Sequence, residues 1–283
     1  MLLLTKSLFK KVDILSVKKH LLGVISGSKF VNRCVLLAMD QVYDESGNPR
    51  QEKTHLYVPN SYIASLAKDN ERILFGASVH PFRNDWSEEL DRCLENKAVV
   101  CKWIPSSQMI NPAHNNHLPF YKKLADHNLP LLCHAGPEYA IPTSFKFYNA
   151  FNNPEYLKMP LDQGVSLVIA HCSMPYFGLL DNPTYESSFL NFIKLANEAD
   201  VKGWNLYADL SAICIPSREE YVRKALDNIP PKRLVYGSDY PVPLTEFCYN
   251  KGKSFWGRLA FIIKIALMEN PLDKNYHLIK EMG

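Results

Sequence analysis

Five side chains that can bind a metal, a proton or an anion each stand at or just past the end of a short apolar run. They are His80, Lys102, His134, His171 and Asp239. Taken singly, such a histidine is usually bonded to a backbone carbonyl group, and Asp239 fits a turn or helix cap as well as a catalytic role. Five such residues at the same place relative to their runs favour a common site.

The apolar runs that carry these residues are typical of buried parallel strands, because they are short, rich in branched side chains and free of polar alternation. We predict seven strands, at Asn32–Met39, Ile73–Val79, Ala98–Cys101, Pro130–Cys133, Val165–Ala170, Trp204–Leu210 and Leu234–Tyr236. Helical patterns lie between them, for example from Ser217 to Asn228 and from Phe255 to Met268. Alternating strands and helices predict an α/β fold with a parallel sheet.

The length of 283 residues suits one (β/α)₈ TIM-like barrel, which typically has about 250 residues. No glycine-rich dinucleotide turn and no P-loop follows any strand, which disfavours an open nucleotide-binding sheet. In a barrel the carboxyl ends of all strands meet at one mouth, so the five side chains become neighbours. Two neutral imidazoles and a carboxylate suit Zn²⁺ or a similar divalent ion with positions left for water.

The composition favours a globular protein and argues against a nucleic-acid-binding or membrane-spanning one. The hydrophobic fraction of 47% and the charged fraction of 22% are ordinary for a globular chain. A net charge of +3 without a basic face argues against nucleic acid as a partner, and no apolar stretch reaches the ~20 residues of a membrane span. Seven scattered cysteines without a C-x-x-C pair predict reduced thiols and a cytoplasmic location.

Three motifs give the chain a specific resemblance. Leu-Leu-Cys-His134-Ala-Gly-Pro, Val-Ile-Ala-His171-Cys-Ser and Tyr-Gly-Ser-Asp239-Tyr-Pro resemble the fifth-, sixth- and eighth-strand motifs of the amidohydrolase superfamily. The branch resembled is the amidohydrolase-2 group of TIM-barrel metal-dependent hydrolases, which includes the aminocarboxymuconate-semialdehyde decarboxylase type. The resemblance covers roughly residues 30 to 282.

The resemblance implies a role for each candidate residue. His134 and His171 would lie on the metal or face its water, and Asp239 would contact the metal and accept the proton of that water. Lys102 has two interpretations, and we prefer the second. It is either a carboxylated bridge between two metals or a cation that binds a substrate carboxylate or pairs with a nearby acid. His80 and Glu138 are expected on the substrate side. The His114-Asn-Asn-His117 pair is interpreted as surface.

The sequence departs from the family pattern at its start. The first strand of the superfamily normally ends in His-x-His, and no such motif occurs here. We therefore predict a barrel that is incomplete at the first strand, with residues 1–30 as an atypical N-terminal segment of a single domain spanning 1–283. Two explanations stay open: the chain is a truncated form of a longer product, or it is a natural barrel that has lost this strand.

The leading functional hypothesis is a metal-dependent hydrolase of a small carboxylated or cyclic substrate, with zinc as the expected ion. A non-oxidative decarboxylase of the same family is the nearest alternative, and a catalytically impaired barrel is another. A phosphate-sugar isomerase barrel is disfavoured, because no glycine-rich phosphate loop lies near the late strands. The expected partner is a small-molecule substrate, and a homo-oligomer is compatible with the sequence.

Overall fold

The computed structural model describes residues 13–138, 140–142, 146–175, 183–242 and 254–281. Seven parallel strands within these residues form one sheet, in which the strands follow each other in chain order. They are β1 (Cys34–Leu37), β2 (Ile73–Ala77), β3 (Val100–Trp103), β4 (Leu131–Cys133), β5 (Leu167–Ile169), β6 (Leu206–Asp209) and β7 (Leu234–Val235). The sheet curls into a half-barrel, which confirms the predicted α/β fold and the incomplete barrel.

Helices connect the strands and cover the sheet. They are α1 (Ile14–Gly27), α2 (Asn60–Asp69), α3 (Trp86–Glu95), α4 (Pro105–Gln108), α5 (Leu118–Asp126), α6 (Lys158–Asp162), α7 (Pro183–Lys202), α8 (Glu219–Asn228), α9 (Phe255–Ala266) and α10 (Pro271–Lys280). In the described part of the chain, no helix is both long and apolar enough to cross a membrane. Helix α9 buries Phe261 and Ile265, whereas Trp256 and Leu259 are exposed, so only one face of this predicted core helix reaches the core.

The core lies between the central strands and the helices. Trp103 of β3 is fully buried and packs against the rings of Phe120 and Tyr121 from α5. Strands β2 to β6 are largely buried, as expected for parallel strands that are covered on both faces. The two edges differ: Val35 of β1 is 42% exposed and Val235 of β7 is 36% exposed. Within the described residues, each edge strand pairs on one side only.

Helix α1 is held at two places, at its carboxyl end and near its middle. The Arg72 side chain, just before β2, donates to the carbonyl oxygens of Ser26 (2.8 Å) and Ser28 (3.1 Å). These are carbonyl groups that a helix end leaves without helical partners. Nearer its middle, His20 Nε2 lies 2.8 Å from the hydroxyl group of Tyr240, which follows β7. Helix α1 therefore contacts both the chain before β2 and the chain after β7.

Asp273, in the first turn of α10, holds the chain that leaves α1. Its carboxylate accepts the hydroxyl hydrogen of Ser28 (2.5 Å) and the backbone N–H groups of Lys29 (3.0 Å) and Phe30 (3.2 Å). Burial by itself raises the pKa of Asp273, but these hydrogen bonds outweigh it and the pKa lies below its ordinary value of 3.8. The ionised carboxylate is thus the form that stabilises this junction.

We expect Asp273→Asn to lower the free energy of unfolding by about 2 kcal/mol at pH 7, because hydrogen bonds to a buried charged group are lost. The folded-state pKa of Asp273 is depressed, so its contribution is complete above its ordinary pKa of 3.8 and is lost as the pH falls through the folded-state value. Urea unfolding between pH 3 and 7 measures this. Asp126→Asn, at an exposed position at the end of α5, is the control. A difference between Asp273→Asn and wild type that stays constant with pH would contradict the assignment.

Candidate active site

Three of the predicted residues meet at the carboxyl end of the sheet. His134 follows β4, His171 follows β5, and Asp239 stands four residues after β7. The ring centroids of His134 and His171 lie 5.4 Å apart in a T-shaped arrangement. His171 Nε2 lies 3.7 Å from Asp239 Oδ2. The parallel sheet thus brings residues that are distant in sequence to one mouth.

The chain makes an unusual turn at His171. His171, Cys172 and Ser173 have φ values of 55°, 49° and 54°, all in the left-handed region. This conformation costs roughly 1 to 2 kcal/mol per non-glycine residue, so the surroundings must hold it. The backbone N–H of His171 donates to Asp209 Oδ1 at 2.8 Å, which fixes the start of the turn.

Arg218 holds the other end of this turn. Its guanidinium group donates to the carbonyl oxygens of Met174 (3.1 Å), Pro175 (3.0 Å) and Ala212 (2.8 Å). The side chain is buried, with 4% of the residue exposed. Arg218 therefore ties the chain after β5 to the chain after β6.

Replacing Arg218 by methionine leaves three carbonyl groups in this region without their donor. We expect the free energy of unfolding to fall by about 3 kcal/mol, since each buried acceptor that is left unsatisfied costs about 1 to 3 kcal/mol. Arg223→Met, on the exposed side of α8, should change it by less than about 0.5 kcal/mol. Equal unfolding curves for the two variants would contradict this role of Arg218.

Asp209 and Ser211 lie behind His171, and sequence reasoning missed both. Ser211 Oγ is 2.7 Å from His171 Nδ1 and 2.5 Å from Asp209 Oδ1. Asp209 ends β6, so the rule that selected the residues after the other strands would have found it. Ser211 carries no comparable signal, because a serine after a strand is common in turns.

The ring of His134 faces the loop that follows β4. His134 Nε2 lies 3.3 Å from the carbonyl oxygen of Pro137, and Nδ1 lies 3.5 Å from Glu138 Oε2. Gly136 has a φ of +85°, and a Cβ atom there would stand 2.9 Å from the carbonyl oxygen of Ser173. Glycine is therefore required where this loop passes the turn after β5. Glu138, expected on the substrate side, lies against His134.

Burial and neighbouring charges set the protonation states of the side chains at the mouth. Burial lowers the pKa of His134 and of His171 to about 4, so both imidazoles are neutral at pH 7. Burial opposes ionisation of Glu138, yet nearby His134 and the N–H groups of Ile141 and Ala140 hold its pKa below the ordinary value. Desolvation raises the pKa of Asp239 to about 6, although water still reaches 41% of its side chain.

Lys102, in β3, supplies positive charge to the same mouth. The residue is 7% exposed, and its charge lowers the pKa of His134, His171 and Asp239. Among the residues that the structure describes, no carboxylate lies within ion-pair distance of its ammonium group. A buried cation of this kind is costly unless an anion joins it.

The structure places His80 in a separate polar cluster. His80 Nε2 lies 3.0 Å from the carbonyl oxygen of Gln108, and Nδ1 accepts the backbone N–H of Phe82. Its backbone N–H donates to Asp40, whose carboxylate also binds Arg83. Burial lowers the pKa of His80 to about 3. Both ring nitrogens are engaged with the backbone, so His80 is not brought together with His171 and Asp239.

The surface assignment of the His114–His117 pair is wrong for one member. His117 is fully buried, and its ring packs edge-on against Phe82 at a centroid distance of 4.6 Å. The residues around His117 in the sequence are mostly polar and do not indicate this burial. His114, by contrast, has 28% of its side chain exposed.

The imidazole and carboxylate groups at the mouth are of the kinds that bind a divalent metal ion. Bonds from zinc to nitrogen or oxygen are about 2 Å long, so one ion could touch His171 Nε2 and Asp239 Oδ2 across their 3.7 Å separation. His134 has both ring nitrogens turned towards its own loop. Accordingly, no group of three or more His, Cys, Asp or Glu side chains within the described ranges is arranged to hold a metal.

Comparison with solved structures places this fold among TIM barrels. An uncharacterised TIM-barrel protein from Bordetella bronchiseptica is similar with a TM-score of 0.53 and 15% identity, over 89% of this chain and 79% of that one. A probable 2-pyrone-4,6-dicarboxylic acid hydrolase from Acinetobacter baumannii, with citric acid bound, is similar with a TM-score of 0.51 and 15% identity, over 94% and 88% of the two chains. At this identity the likeness concerns the fold alone. A search of curated proteins found no match.

The sequence itself also matches a family model, described as amidohydrolase, over residues 37–265. The match runs from the end of β1 to the last turns of α9, and so includes His134, His171 and Asp239. Members of this family are usually metal-dependent. The chain belongs to the amidohydrolase family of the amidohydrolase-2 type.

Proposed function

We propose that this chain is a hydrolase of the amidohydrolase type that acts on a small carboxylated substrate at the mouth formed by Lys102, His171 and Asp239. The observation that carries the proposal is the buried ammonium group of Lys102, which has no carboxylate partner among the described residues and lies within electrostatic range of Asp239. A substrate carboxylate would supply the missing anion. The acid–base residues would then face the rest of the substrate.

Asp239 is the proposed proton acceptor. Its pKa of about 6 lies close to neutral pH, where a carboxylate is both largely ionised and basic enough to take a proton from water. Burial makes the largest contribution to this raised pKa. Lys102 favours the ionised form of Asp239, while Asp209 and Glu138 oppose it. The balance keeps this carboxylate a better base than an ordinary surface aspartate.

His134, His171 and Asp239 are the proposed residues for a divalent metal ion, with zinc as the first candidate. Both imidazoles are neutral and Asp239 is a carboxylate, as metal ligation requires. When bound there, the ion would supply Lewis acidity for the reacting carbonyl group and lower the pKa of water. Binding by all three residues requires the ring of His134 to turn away from Pro137 and Glu138.

A decarboxylase is the second candidate, and the pKa of Asp239 is the observation that favours it. A carboxyl group with a pKa of about 6 is partly protonated near neutral pH, so it can deliver a proton to carbon as carbon dioxide leaves. In either reaction Lys102 would bind a carboxylate group of the substrate that does not itself react. The two candidates therefore differ in product and share the site.

The experiment is a turnover assay on a short panel of carboxylated compounds. 2-Pyrone-4,6-dicarboxylic acid comes first, because the name of a structural neighbour includes it and loss of the pyrone absorbance reports its hydrolysis. Aromatic carboxylic acids follow, with carbon dioxide release as the readout. Binding of each compound is measured by calorimetry in parallel. A folded protein that neither converts nor binds any member of the panel would contradict the proposal.

A further inference from the structure

We infer that Ser211 and Asp209 are positioning residues that keep the ring proton of His171 on Nδ1 and leave the Nε2 lone pair facing Asp239. The effect on turnover rests on the proposed function, whereas the position of the proton does not.

Two oxygen atoms of Ser211 lie at His171 Nδ1. The carbonyl oxygen of Ser211 is 3.1 Å from Nδ1, and its hydroxyl oxygen is 2.7 Å away. A carbonyl oxygen accepts hydrogen bonds and cannot donate one. A hydrogen atom on Nδ1 therefore satisfies both contacts, whereas a lone pair on Nδ1 would face the lone pairs of the carbonyl oxygen.

Asp209 fixes the direction of the Ser211 hydroxyl group. An ionised carboxylate only accepts, so the hydroxyl hydrogen points to Asp209 Oδ1 at 2.5 Å. The same oxygen accepts the backbone N–H groups of Ser211 (3.0 Å) and His171 (2.8 Å). Asp209 and Ser211 are both buried. With its hydrogen committed to Asp209, the hydroxyl oxygen presents a lone pair to His171 Nδ1.

The other side of the ring offers the competing arrangement. His171 Nε2 lies 3.7 Å from Asp239 Oδ2, so a hydrogen atom on Nε2 would be drawn to that carboxylate. Neutral imidazole carries only one ring hydrogen, and the two sides compete for it. The shorter and more numerous contacts at Nδ1 favour that side. The lone pair on Nε2 is then free to bind a metal ion or a proton opposite Asp239.

Gly237 allows the groups on the two sides of the His171 ring to lie close to it. A Cβ atom at Gly237 would stand 2.9 Å from Ser211 Cβ and 3.7 Å from Asp209 Cγ. Real Cβ atoms essentially never come within 3.0 Å of another heavy atom in this way. The missing side chain lets the chain after β7 pass beside Ser211, which brings Asp239 within 3.7 Å of His171 Nε2.

The test is long-range ¹H–¹⁵N NMR on metal-free, full-length protein labelled at histidine nitrogen, with His171→Gln identifying the His171 signals. Wild type and Ser211→Thr, which keeps the hydroxyl group, are expected to give a pyrrole-type Nδ1 and a pyridine-type Nε2. In Ser211→Ala the two ¹⁵N shifts should move towards each other, because the tautomer with hydrogen on Nε2 becomes populated. Turnover should fall about 10- to 100-fold in Ser211→Ala and recover in Ser211→Thr.

Two results would overturn the inference. One is a wild-type spectrum with the hydrogen on Nε2, which decides the matter even if a variant does not fold. The other is a Ser211→Ala spectrum equal to that of wild type, which would leave the carbonyl group of Ser211 as the sole determinant. If the shifts change as expected but no panel compound is turned over, the inference stands and the proposed function fails.

Discussion

Asp239→Asn is expected to lower kcat/KM by about 10³-fold on whichever carboxylated compound the enzyme converts, within the 10²- to 10⁴-fold range of general base catalysis. The amide has nearly the same size and leaves the fold intact, but it cannot accept the proton of the attacking water. It also removes the negative charge that faces His171 Nε2 at 3.7 Å. Steady-state kinetics on purified protein measure the change.

The matched control for this variant is Asp227→Asn, at an exposed position near the carboxyl end of α8. We expect its kcat/KM to stay within a factor of two of wild type. Thermal unfolding of both variants separates loss of chemistry from loss of fold. Activity of Asp239→Asn above a tenth of the wild-type value would exclude Asp239 as the proton acceptor.

Lys102→Met is expected to weaken binding of the carboxylated substrate about 100-fold. The thioether side chain has a similar length and fills the same buried space without a charge. A hydrogen bond to a charged group contributes about 1.5 to 3 kcal/mol, and about 1.4 kcal/mol corresponds to a tenfold change in Kd. Because an uncompensated buried cation is removed, the variant should unfold no more easily than wild type.

Calorimetric titration with the substrate or a non-reactive dicarboxylate gives the Kd, and Lys68→Met, at an exposed position in α2, is the control. Lys102→Arg separates the two roles considered for this residue. Arginine keeps the positive charge, so substantial binding should persist if Lys102 acts as a cation. A carboxylated bridge between metals would be lost in both variants. Equal affinity of wild type and Lys102→Met would contradict carboxylate recognition at this position.

The position of the mouth could be predicted because buried parallel strands have a recognisable sequence pattern. Each strand is a short apolar run, and the residue after it is placed by the sheet whatever the loop beyond it does. His134, His171 and Asp239 met for that reason. Asp209 obeys the same rule at the end of β6.

Other features depend on contacts that no local pattern records. The left-handed turn from His171 to Ser173 contains no glycine, and its end is held by Arg218, which directly precedes α8. The orientation of the His134 ring depends on a loop that Gly136 allows to pass the turn after β5. His117 lies in a polar stretch, yet tertiary packing buries it beneath aromatic rings.

Helix α10 shows the opposite case, because its start is marked in the local sequence. Asn270 caps the helix through the backbone N–H groups of Leu272 and Asp273, and Pro271 occupies the first turn. An asparagine followed by proline is a standard helix start. The sequence pattern alone therefore predicts α10, whereas its role in holding the chain after α1 through Asp273 required the structure.

Zinc binding to purified, metal-depleted protein tests whether His171 and Asp239, which face each other across 3.7 Å, hold a cation together with His134. Titration calorimetry, with metal content after dialysis as a second readout, compares wild type with His134→Ala and Asp239→Ala. We expect one zinc ion per wild-type chain, weaker binding in His134→Ala and none at the site in Asp239→Ala. A folded wild-type protein that binds no zinc even in excess, or that binds it no more tightly than Asp239→Ala does, would show that these residues do not form a metal site.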